Sequence, residues 1–469
     1  MTDAERIRAL EEAVRERDGQ LAERDARIVE LERRVRELHE IVEAWKRGHR
    51  VRPGGKPAQK PPRKASGRGP GRPTGHRGVS RPGPTRVDRT LDVAAPTRCP
   101  ACGGAVHATA AGPGTQVVED LPPAPATEIL AYRRHKARCD ACAQDVMAPL
   151  PDALGPSPKI GVRAQAQIVE MKGDGQTHAQ IQRQLARQGL QLSRGGIQQI
   201  LHRSAAVLAP AREQYRAAIV AADHVWADET TYKVAGQSGY LWLVLTPTVA
   251  LYTADRSRGQ AVIQALLAGF HGVLHSDFYA VYWTLPGVRH APCWAHLLRT
   301  TRQIAERTAA PTAAAFHAGL ARVYVRAVTA QALPARAQPR VPGIKCTLKK
   351  LATDPALGTH PDVARIQKRV VKHLDELVTF VTDPAAEATN NRSERGLRAH
   401  AMARHRSGGA RSDAGAVTYA LNTSVVRTCE AQGLPFVEAL RGARRAYFDH
   451  APFPDLLPRE AKPHPPPPA

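Results

Sequence analysis

HVWAD, residues 224–228, and GVLHSD, residues 272–277, are the two stretches that decide the fold of this chain. Each is a short apolar run ending in an acid, Asp228 or Asp277, and such a run is typical of a strand buried in a sheet. An acid at the end of a buried strand lies at the rim of the sheet, where several carboxylates can converge on Mg²⁺. The two stretches therefore predict a sheet that carries a divalent-metal site.

The residues between these stretches extend the same sheet. GYLWLVLTP (239–247) and VALYTADR (249–256) predict two further strands, and GQAVIQALLAG (259–269) has the apolar period of a helix. A meander of strands followed by alternating helix and strand is typical of an α/β domain with a mixed sheet. If its first and fourth strands are neighbours, Asp228 and Asp277 lie together.

A third acid, Glu394, lies in the polar and basic stretch TNNRSERGLR, residues 389–398, which is typical of the opening of a helix. An acid beside dense positive charge favours a metal ligand among phosphate-binding side chains, with Arg395 and Arg398 as phosphate contacts. The alternative is an exposed helix in which Glu394 only pairs with Arg398, four residues further on.

More than a hundred residues separate Asp277 from Glu394, and they leave the strand pattern. Their Ala- and Arg-rich composition predicts an inserted helical subdomain at about residues 300–385. Three prolines predict a loop within it: Pro334, Pro339 and Pro342.

The composition limits the partners that the chain can have. With 469 residues, about three domains are expected, and the net charge of +24 favours a polyanion such as DNA. No apolar run reaches the roughly 18 residues of a membrane span, so a cytoplasmic protein without a membrane partner is predicted. Four of the seven cysteines form two CxxC pairs, which argues against a disulfide framework.

The first 90 residues predict a dimerising arm followed by a basic linker. Residues 1–46 carry apolar residues at seven-residue intervals, which predicts a coiled coil and a homodimer or higher oligomer; a single helix packed on its own protein is the alternative. Residues 47–90 predict a disordered linker, since they are rich in Pro and Gly. Residues 46–89 hold fourteen Lys or Arg and one acid, so this segment would bind phosphates without reading bases.

Residues 91–150 contain the two cysteine pairs and predict a zinc-binding domain. The four thiols are those of Cys99, Cys102, Cys139 and Cys142. Two-residue spacing lets both thiolates of a pair face one ion, and four sulfurs imply tetrahedral Zn²⁺. Such a zinc is structural, because four thiolates leave no position open for water.

Residues 160–210 predict a helix-turn-helix. Thr177 and Ser193 occupy N-cap positions before two short helices, and Gly189 lies in the turn between them. The second helix would read DNA through four side chains: Arg194, Gln198, Gln199 and Arg203. A plain helical scaffold is the alternative, since the helices of any small bundle have polar faces.

Taken together, these modules resemble the insertion-sequence 66 family of bacterial DDE transposases. The resemblance is carried by the N-terminal heptads, the paired cysteines and the motifs GRPTGHRG, SRGGIQQIL, WADETTYKV, SDFYAVY, CWAHLLR and TNNRSERGLR. It implies a ribonuclease-H-like catalytic domain at residues 222–450. It also assigns Asp228, Asp277 and Glu394 to a triad that binds two Mg²⁺ ions, and the four paired cysteines to zinc.

The CWAHLLR block implies that His296 and Arg299 lie near the catalytic site. His296 would be a proton carrier, a phosphate contact or a histidine satisfied by hydrogen bonds in the core. Cys293 is interpreted as a small buried residue and not a nucleophile, because phosphoryl transfer on metal ions needs none.

The predicted activity is Mg²⁺-dependent end cleavage and strand transfer of an insertion sequence. The expected partners are double-stranded DNA, as terminal repeats and target, and accessory transposition proteins, with a location at the nucleoid. A DNA-binding regulator without catalysis would explain the charge but not the acids, and a nuclease that cuts without joining would use the same triad. The PHPPPP segment predicts that residues 451–469 form a disordered tail.

Overall fold

The computed structural model describes residues 87, 90, 91, 98, 102–106, 127–147, 150, 159–332 and 337–457. The chain divides into two compact units, Met1–Leu121 and Pro122–Ala469. The predicted coiled coil lies outside the described residues, as do nearly all of the predicted linker and residues 458–469 of the predicted tail. No described helix combines the length and the apolar composition needed to cross a bilayer.

The described strands form a hairpin and a larger sheet. They are β1 (Lys136–Arg138), β2 (Asp145–Met147), β3 (His224–Thr231), β4 (Tyr240–Leu245), β5 (Ala250–Asp255), β6 (Val273–Ser276) and β7 (Arg289–Pro292). β1 and β2 form the hairpin, and the other five strands form one mixed sheet in the order β5-β4-β3-β6-β7. The chain is therefore a mixed α/β protein.

Most of the described residues outside the strands form helices. They are α1 (Val162–Gly173), α2 (His178–Arg187), α3 (Arg194–Leu208), α4 (Ala211–Val220), α5 (Gln260–Leu266), α6 (Trp294–Thr308), α7 (Pro311–Gln331), α8 (Ala337–Thr353), α9 (Pro361–Lys372), α10 (Thr379–Thr382), α11 (Asn391–Ser407), α12 (Asp413–Gln432) and α13 (Phe436–Phe448). Short 3-10 helices lie at Ala280–Thr284, Leu357–Thr359 and Glu376–Val378.

The sheet places its first and fourth strands side by side. β3, β4 and β5 pair antiparallel as a meander, whereas β6 pairs parallel with β3, and β7 pairs parallel with β6. The parallel step from β5 to β6 uses α5 as its connection. β3 therefore lies at the centre of the sheet, with β6 on one side of it.

One face of the sheet shares a hydrophobic core with the helices that precede it. Trp242 and Val244 of β4 belong to the same buried cluster as Ile168 of α1, Ile197 of α3 and Tyr215 of α4. The helices of residues 162–208 are thus packed into the unit that contains the sheet. On the other face, residues of α11 and α12 bury Leu243 and Tyr252.

Local capping explains where α2 and α3 begin. The Thr177 side chain accepts the Gln180 N–H in a reciprocal capping box, and the Ser193 side chain accepts the Gly196 N–H. Gly189 lies between the helices with φ of +85°, a conformation that favours glycine. Both predicted helix starts are confirmed, while DNA reading by this pair stays a prediction.

The helices between β7 and α11 have a core of their own. It contains residues of α6 to α10, among them Trp294, Phe316, Ile344 and Ile366. α6 links this second core to the sheet, because it begins directly after β7. A helical block therefore lies in the sequence between Asp277 and Glu394.

The strand and loop boundaries differ from the sequence prediction in two places. β3 does not end at Asp228, because its antiparallel pairing with β4 continues to Thr231. The loop predicted at Pro339 and Pro342 is wrong, since α8 begins at Ala337 and includes both prolines. Pro339 is tolerated because it lies in the first turn, where backbone N–H groups have no partner within the helix, whereas Pro342 lies inside the helix.

The C-terminal segment is ordered further than the sequence predicts. Gln214 of α4 donates to the Pro454 carbonyl and accepts the Leu456 N–H, and Leu456 is buried. Residues 451–457 thus pack on the protein, in contrast to the predicted disorder from residue 451. The reason is a pair of long-range contacts that composition does not reveal.

Candidate active site

Two of the three predicted acids lie in equivalent positions on neighbouring strands. β3 and β6 are parallel, with Trp226 paired to His275. Asp228 and Asp277 each follow two residues later, Asp228 within β3 and Asp277 directly after β6. The shared register brings their backbones to the same edge of the sheet.

The electrostatic surroundings of Asp228 include both of the other predicted acids. Burial and then the neighbouring Glu229 raise the pKa of Asp228 to about 8, and the charges of Asp277 and Glu394 act in the same direction. The N–H of Glu229, which donates to Asp228 Oδ1 at 2.9 Å, opposes the shift. A carboxyl group in such surroundings is held neutral until a cation compensates its charge.

Glu394 enters the cluster from the first turn of α11 and contacts α6. Its Oε1 lies 3.4 Å from His296 Nδ1, and its Oε2 lies 3.8 Å from Arg299 Nη2. The His296 contact lacks the geometry of a hydrogen bond, so both of its atoms are buried without a hydrogen-bond partner. Unsatisfied buried polar atoms are costly, and a bound ion is one way to satisfy them.

Asn390 connects the elements that carry the three acids. Its Nδ2 donates to the carbonyl of Ala227, the residue before Asp228, at 2.8 Å. Its N–H donates to Cys293 Sγ at 3.1 Å. The N–H of Cys293 in turn donates to the carbonyl of Ser276, the residue before Asp277, at 2.9 Å. Fully buried Asn390 therefore fixes the start of α11, and with it Glu394, against β3 and β6.

A second contact holds the same helix on the sheet. Arg392, in the first turn of α11, lies over the Trp226 ring at 4.8 Å and pairs with Glu387 at 2.5 Å. Trp226 stacks on His275 of β6, with ring centroids 4.4 Å apart. Trp226 precedes Asp228 by two residues, and His275 precedes Asp277 by two residues. The stacked rings and the guanidinium above them therefore lie next to the acids in sequence.

A different network supports the opposite face of β3. The Glu229 carboxylate is buried, pairs with Arg258 at 2.6 Å and accepts the Tyr282 hydroxyl. Arg258 lies over the Tyr279 ring at 4.1 Å, and the Tyr279 N–H donates to Asp277 Oδ1 at 2.8 Å. These contacts hold Glu229, which follows Asp228, and Tyr279, which lies two residues after Asp277.

The side chains predicted to contact DNA differ in their exposure to solvent and in their hydrogen bonds. Most of them are exposed: Arg194, Gln199, Arg203, Arg395 and Arg398. Gln198 instead bonds His202, at 2.8 Å, and His202 bonds Thr418 of α12 at 2.7 Å. Gln198 therefore takes part in packing α3 against α12.

A basic cavity adjoins Glu394 on α6. It has a volume of about 260 Å³ and is lined by Ala295, Leu298, Arg299, Arg302 and His317. Arg299 faces both the cavity and the Glu394 carboxylate. Positive charge therefore lies next to the acid cluster on the side of the helical block.

The second cysteine pair lies at the tip of the β1–β2 hairpin. Arg138, just before Cys139, pairs with Asp145, three residues after Cys142. The N–H groups of Cys142 and Ala141 hold the pKa of the Cys139 thiol below its usual value. N–H groups directed at the first sulfur of a CxxC turn favour the thiolate form that metals bind.

The first cysteine pair has the same local register. Cys99 lies outside the described residues, but Arg98, just before it, forms an antiparallel bridge with Ala105, three residues after Cys102. The residue that follows the second cysteine has a positive φ in both turns, +75° at Gly103 and +57° at Ala143. The Cys139–Cys142 turn has the form expected of a metal knuckle, and zinc binding by the two pairs stays a prediction.

Sequence reasoning missed Asn390 and Glu229. Asn390 immediately precedes a predicted helix, where asparagine is a common cap, and that position was the available signal. Its amide, however, bonds Ala227 and not its own helix. Glu229 directly follows Asp228 in a strand, so alternation alone places it on the opposite face.

Comparison with known proteins identifies a family that matches this sequence. Residues 160–418 match the family described as Transposase IS66 family. The chain is 27% identical over 371 residues to uncharacterized protein y4jD of Sinorhizobium fredii, which covers 72% of each chain. It is 25% identical over 400 residues to uncharacterized protein y4hP of the same organism, which covers 76% of this chain and 72% of the relative.

Proposed function

The chain belongs to the Transposase IS66 family, and on that premise we propose that it is a DDE transposase which cuts the ends of an insertion sequence and joins them to target DNA. The observation that carries the proposal is that Asp228 and Asp277 follow paired positions of two neighbouring strands, while Glu394 lies on a helix whose start is bonded to β3. Asp228 comes from β3, Asp277 from the end of β6 and Glu394 from α11. The mixed sheet with β3 at its centre supports the ribonuclease-H-like core that the resemblance implies.

The donor set fits magnesium. Asp228, Asp277 and Glu394 would hold two Mg²⁺ ions, because carboxylate oxygens are the ligands that this ion prefers. The raised pKa of Asp228, caused first by burial and further by the other acids, supports a site that needs a cation. When bound, the ions would stabilise negative charge on the attacking and leaving oxygens of an in-line phosphoryl transfer.

The protein's own residues would orient the acids and the DNA. Asn390 and Arg392 hold the first turn of α11 on the sheet and so position Glu394. Arg395 and Arg398 are exposed on the same helix and would contact phosphates. Arg299, beside Glu394, would bind the DNA backbone close to the reacting phosphate.

DNA binding would extend beyond the site. The exposed side chains of Arg194, Gln199 and Arg203 on α3 would contact the terminal repeats, and the basic segment 46–89 would bind phosphates along the duplex. Cys99, Cys102, Cys139 and Cys142 would hold a structural Zn²⁺. The heptads of residues 1–46 would pair two or more copies, and accessory transposition proteins would complete the complex at the nucleoid.

One experiment separates this proposal from its rivals. Purified protein is incubated with labelled terminal repeats, a target plasmid and Mg²⁺, and binding, nicking and joining are scored separately. Wild type should yield joined products. Asp228→Ala and Asp277→Ala should lower joining by at least about 10³-fold while keeping DNA binding, because transition-state charge loses its main stabilisation. Asp255→Asn is the matched control, since Asp255 ends β5 of the same sheet.

Each outcome of this experiment corresponds to one candidate function. Nicks without joined products would favour a nuclease, and binding without either would favour a DNA-binding regulator. Wild-type joining by Asp228→Ala or Asp277→Ala would show that these acids are not the metal ligands.

A further inference from the structure

A second set of metal-ligand atoms lies beside the carboxylate cluster. Cys293 Sγ, a ring nitrogen of His296 and a carboxylate oxygen of Glu394 lie within 4.8 Å of one another. Thiolate and imidazole with one carboxylate form a donor set that suits Zn²⁺, whereas Mg²⁺ takes oxygen ligands. Within the described residues, this cluster therefore differs in chemistry from the three acids, although it shares Glu394 with them.

The spacing of these atoms suits a small tetrahedral ion. Zinc bonds of roughly 2.0–2.3 Å place neighbouring ligand atoms roughly 3.3–3.8 Å apart. His296 Nδ1 and Glu394 Oε1 are already 3.4 Å apart. Neither atom has a hydrogen-bond partner, although both are buried. Cys293 Sγ completes the set, with all three ligand atoms within 4.8 Å of one another.

The surroundings of Cys293 resemble those of Cys139 in the hairpin. Both begin a turn in which the second ligand follows three residues later, Cys142 in one case and His296 in the other. Burial raises the pKa of the Cys293 thiol, and the N–H groups of Asn390, His296 and Ala295 oppose that rise. For Cys139 the N–H groups likewise come from two and three residues further on. Donors to the sulfur stabilise a metal-bound thiolate.

We propose that Cys293, His296 and Glu394 bind Zn²⁺, with water as the fourth ligand, and that this ion holds Glu394 away from Asp228 and Asp277. As the zinc–sulfur bond forms, the thiol proton passes to solvent. Both carboxylate oxygens of Glu394 face α6, Oε1 toward His296 and Oε2 toward Arg299, so zinc on that side would keep the carboxylate turned away from the two aspartates. Zinc is therefore a competitive inhibitor of the metal-dependent reaction, acting through one shared carboxylate.

Zinc binding and inhibition of the reaction rest on different observations. Zinc binding follows from the three ligands alone, whereas inhibition rests on the proposed function of Glu394. Binding and activity must therefore be measured separately.

Binding is tested on the full-length protein without DNA, purified with the zinc that its cysteine pairs retain. Added Zn²⁺ is followed by calorimetry, and added Co²⁺ by thiolate-to-cobalt absorption. Wild type should bind one equivalent more than Cys293→Ser, or bind it at least 100-fold more tightly. Cys346→Ser is the matched control, because Cys346 is exposed and lies outside the cluster. Asp228→Asn should keep the extra equivalent, since it removes a ligand of the magnesium site only.

Equal stoichiometry and affinity in wild type and Cys293→Ser would overturn the zinc site. If Cys293→Ser does not fold, His296→Gln takes its place in every measurement, because His296 is partly exposed and its loss leaves the Asn390 contacts intact. Loss of the extra equivalent in Asp228→Asn would place the ion among the three acids and would also overturn the inference.

Inhibition is tested by joining assays at fixed Mg²⁺ with increasing Zn²⁺, each variant normalised to its own rate without added zinc. His296→Gln should need at least tenfold more zinc than wild type for half inhibition, and added Mg²⁺ should relieve the inhibition of wild type. Equal sensitivity of the two proteins would sink the inhibitory role. Absence of joining by wild type under all conditions would count against the proposed function and leave the calorimetric result standing.

Discussion

The two aspartates and the glutamate of the cluster are held in place by different means. Asp228 and Asp277 follow equivalent positions of two paired strands, so a ladder of backbone hydrogen bonds fixes their separation. Glu394 lies on a helix whose start is attached to the sheet through the Asn390 amide, the Cys293 sulfur and the Arg392 guanidinium. Many bonds hold the pair, whereas a few side chains hold the third acid.

This difference predicts which part of the site is more sensitive to substitution. A side chain removed near β3 or β6 leaves the remaining strand pairing in place, so the separation of the aspartates should tolerate it. No comparable ladder of backbone hydrogen bonds holds the start of α11, so the removal of a side chain there should displace Glu394. Variants around Glu394 should therefore affect activity more than they affect folding.

Among the residues that position Glu394, the largest effect is expected from Asn390→Ala, which removes the bond to the Ala227 carbonyl. Joining should fall by about 100-fold, because a displacement of about 1 Å at a catalytic group has that order of cost. DNA binding should change little. Asn391→Ala is the control, since Asn391 is exposed and begins the same helix. Equal activity of the two variants would contradict the assigned role of Asn390.

Gly396→Ala tests how closely α11 approaches the sheet. A Cβ at this position would lie 2.5 Å from Leu243 Cδ2, and Leu243 is fully buried. The overpacking should lower the free energy of unfolding by about 1–3 kcal/mol and displace Glu394. Thermal unfolding and joining rates measure the two effects. Gly195→Ala, whose nearest neighbour would be 3.9 Å away, should be close to neutral.

Asp228→Asn tests how the buried carboxyl group of Asp228 affects stability when no metal is present. The pKa of Asp228 is raised from 3.8 to about 8, first by burial, so the folded protein keeps a proton that the unfolded chain loses above about pH 4. Native stability from this group therefore falls as pH rises from about 4 to 8. In EDTA at pH 9, Asp228→Asn should melt a few degrees above wild type, and the difference should vanish near pH 4.

Added Mg²⁺ should reverse that order at pH 9, because it stabilises only the protein that has the intact cluster. Asp449→Asn is the control, since Asp449 is exposed at the end of α13. If wild type and Asp228→Asn respond equally to EDTA and Mg²⁺, the acids do not form a cation site.

The smallest effect is expected from Arg299→Gln. Arg299 is 45% exposed and lies 3.8 Å from Glu394, so solvent and salt screen the contact. Joining should fall by only about threefold at low salt, and the difference should shrink as salt rises. Arg302→Gln, which removes a similar charge one turn further along α6, should show how much of the loss is general DNA attraction. A loss above about 30-fold would mean that Arg299 contacts the reacting phosphate.

Much of the fold was predictable from short patterns in the sequence. The apolar runs of β3, β4, β5 and β6, the apolar period of α5 and the caps Thr177 and Ser193 all lie where the patterns place them. β7 was not indicated, because four residues ending in proline carry no clear alternation. Family membership and the positions of the three acids also came from contiguous motifs.

The sequence by itself determined most of the strands and helices, because those depend on neighbours within a few positions. Only the tertiary structure decided that Asn390 bonds β3 and Cys293 and so holds the start of the helix that carries Glu394. Its bonds join positions 163 and 97 residues apart. The same folding brought Cys293 and His296 to Glu394, so that a thiol, an imidazole and a carboxylate lie within 4.8 Å of one another. Contacts across such distances arise from packing of the whole domain, and no local period records them.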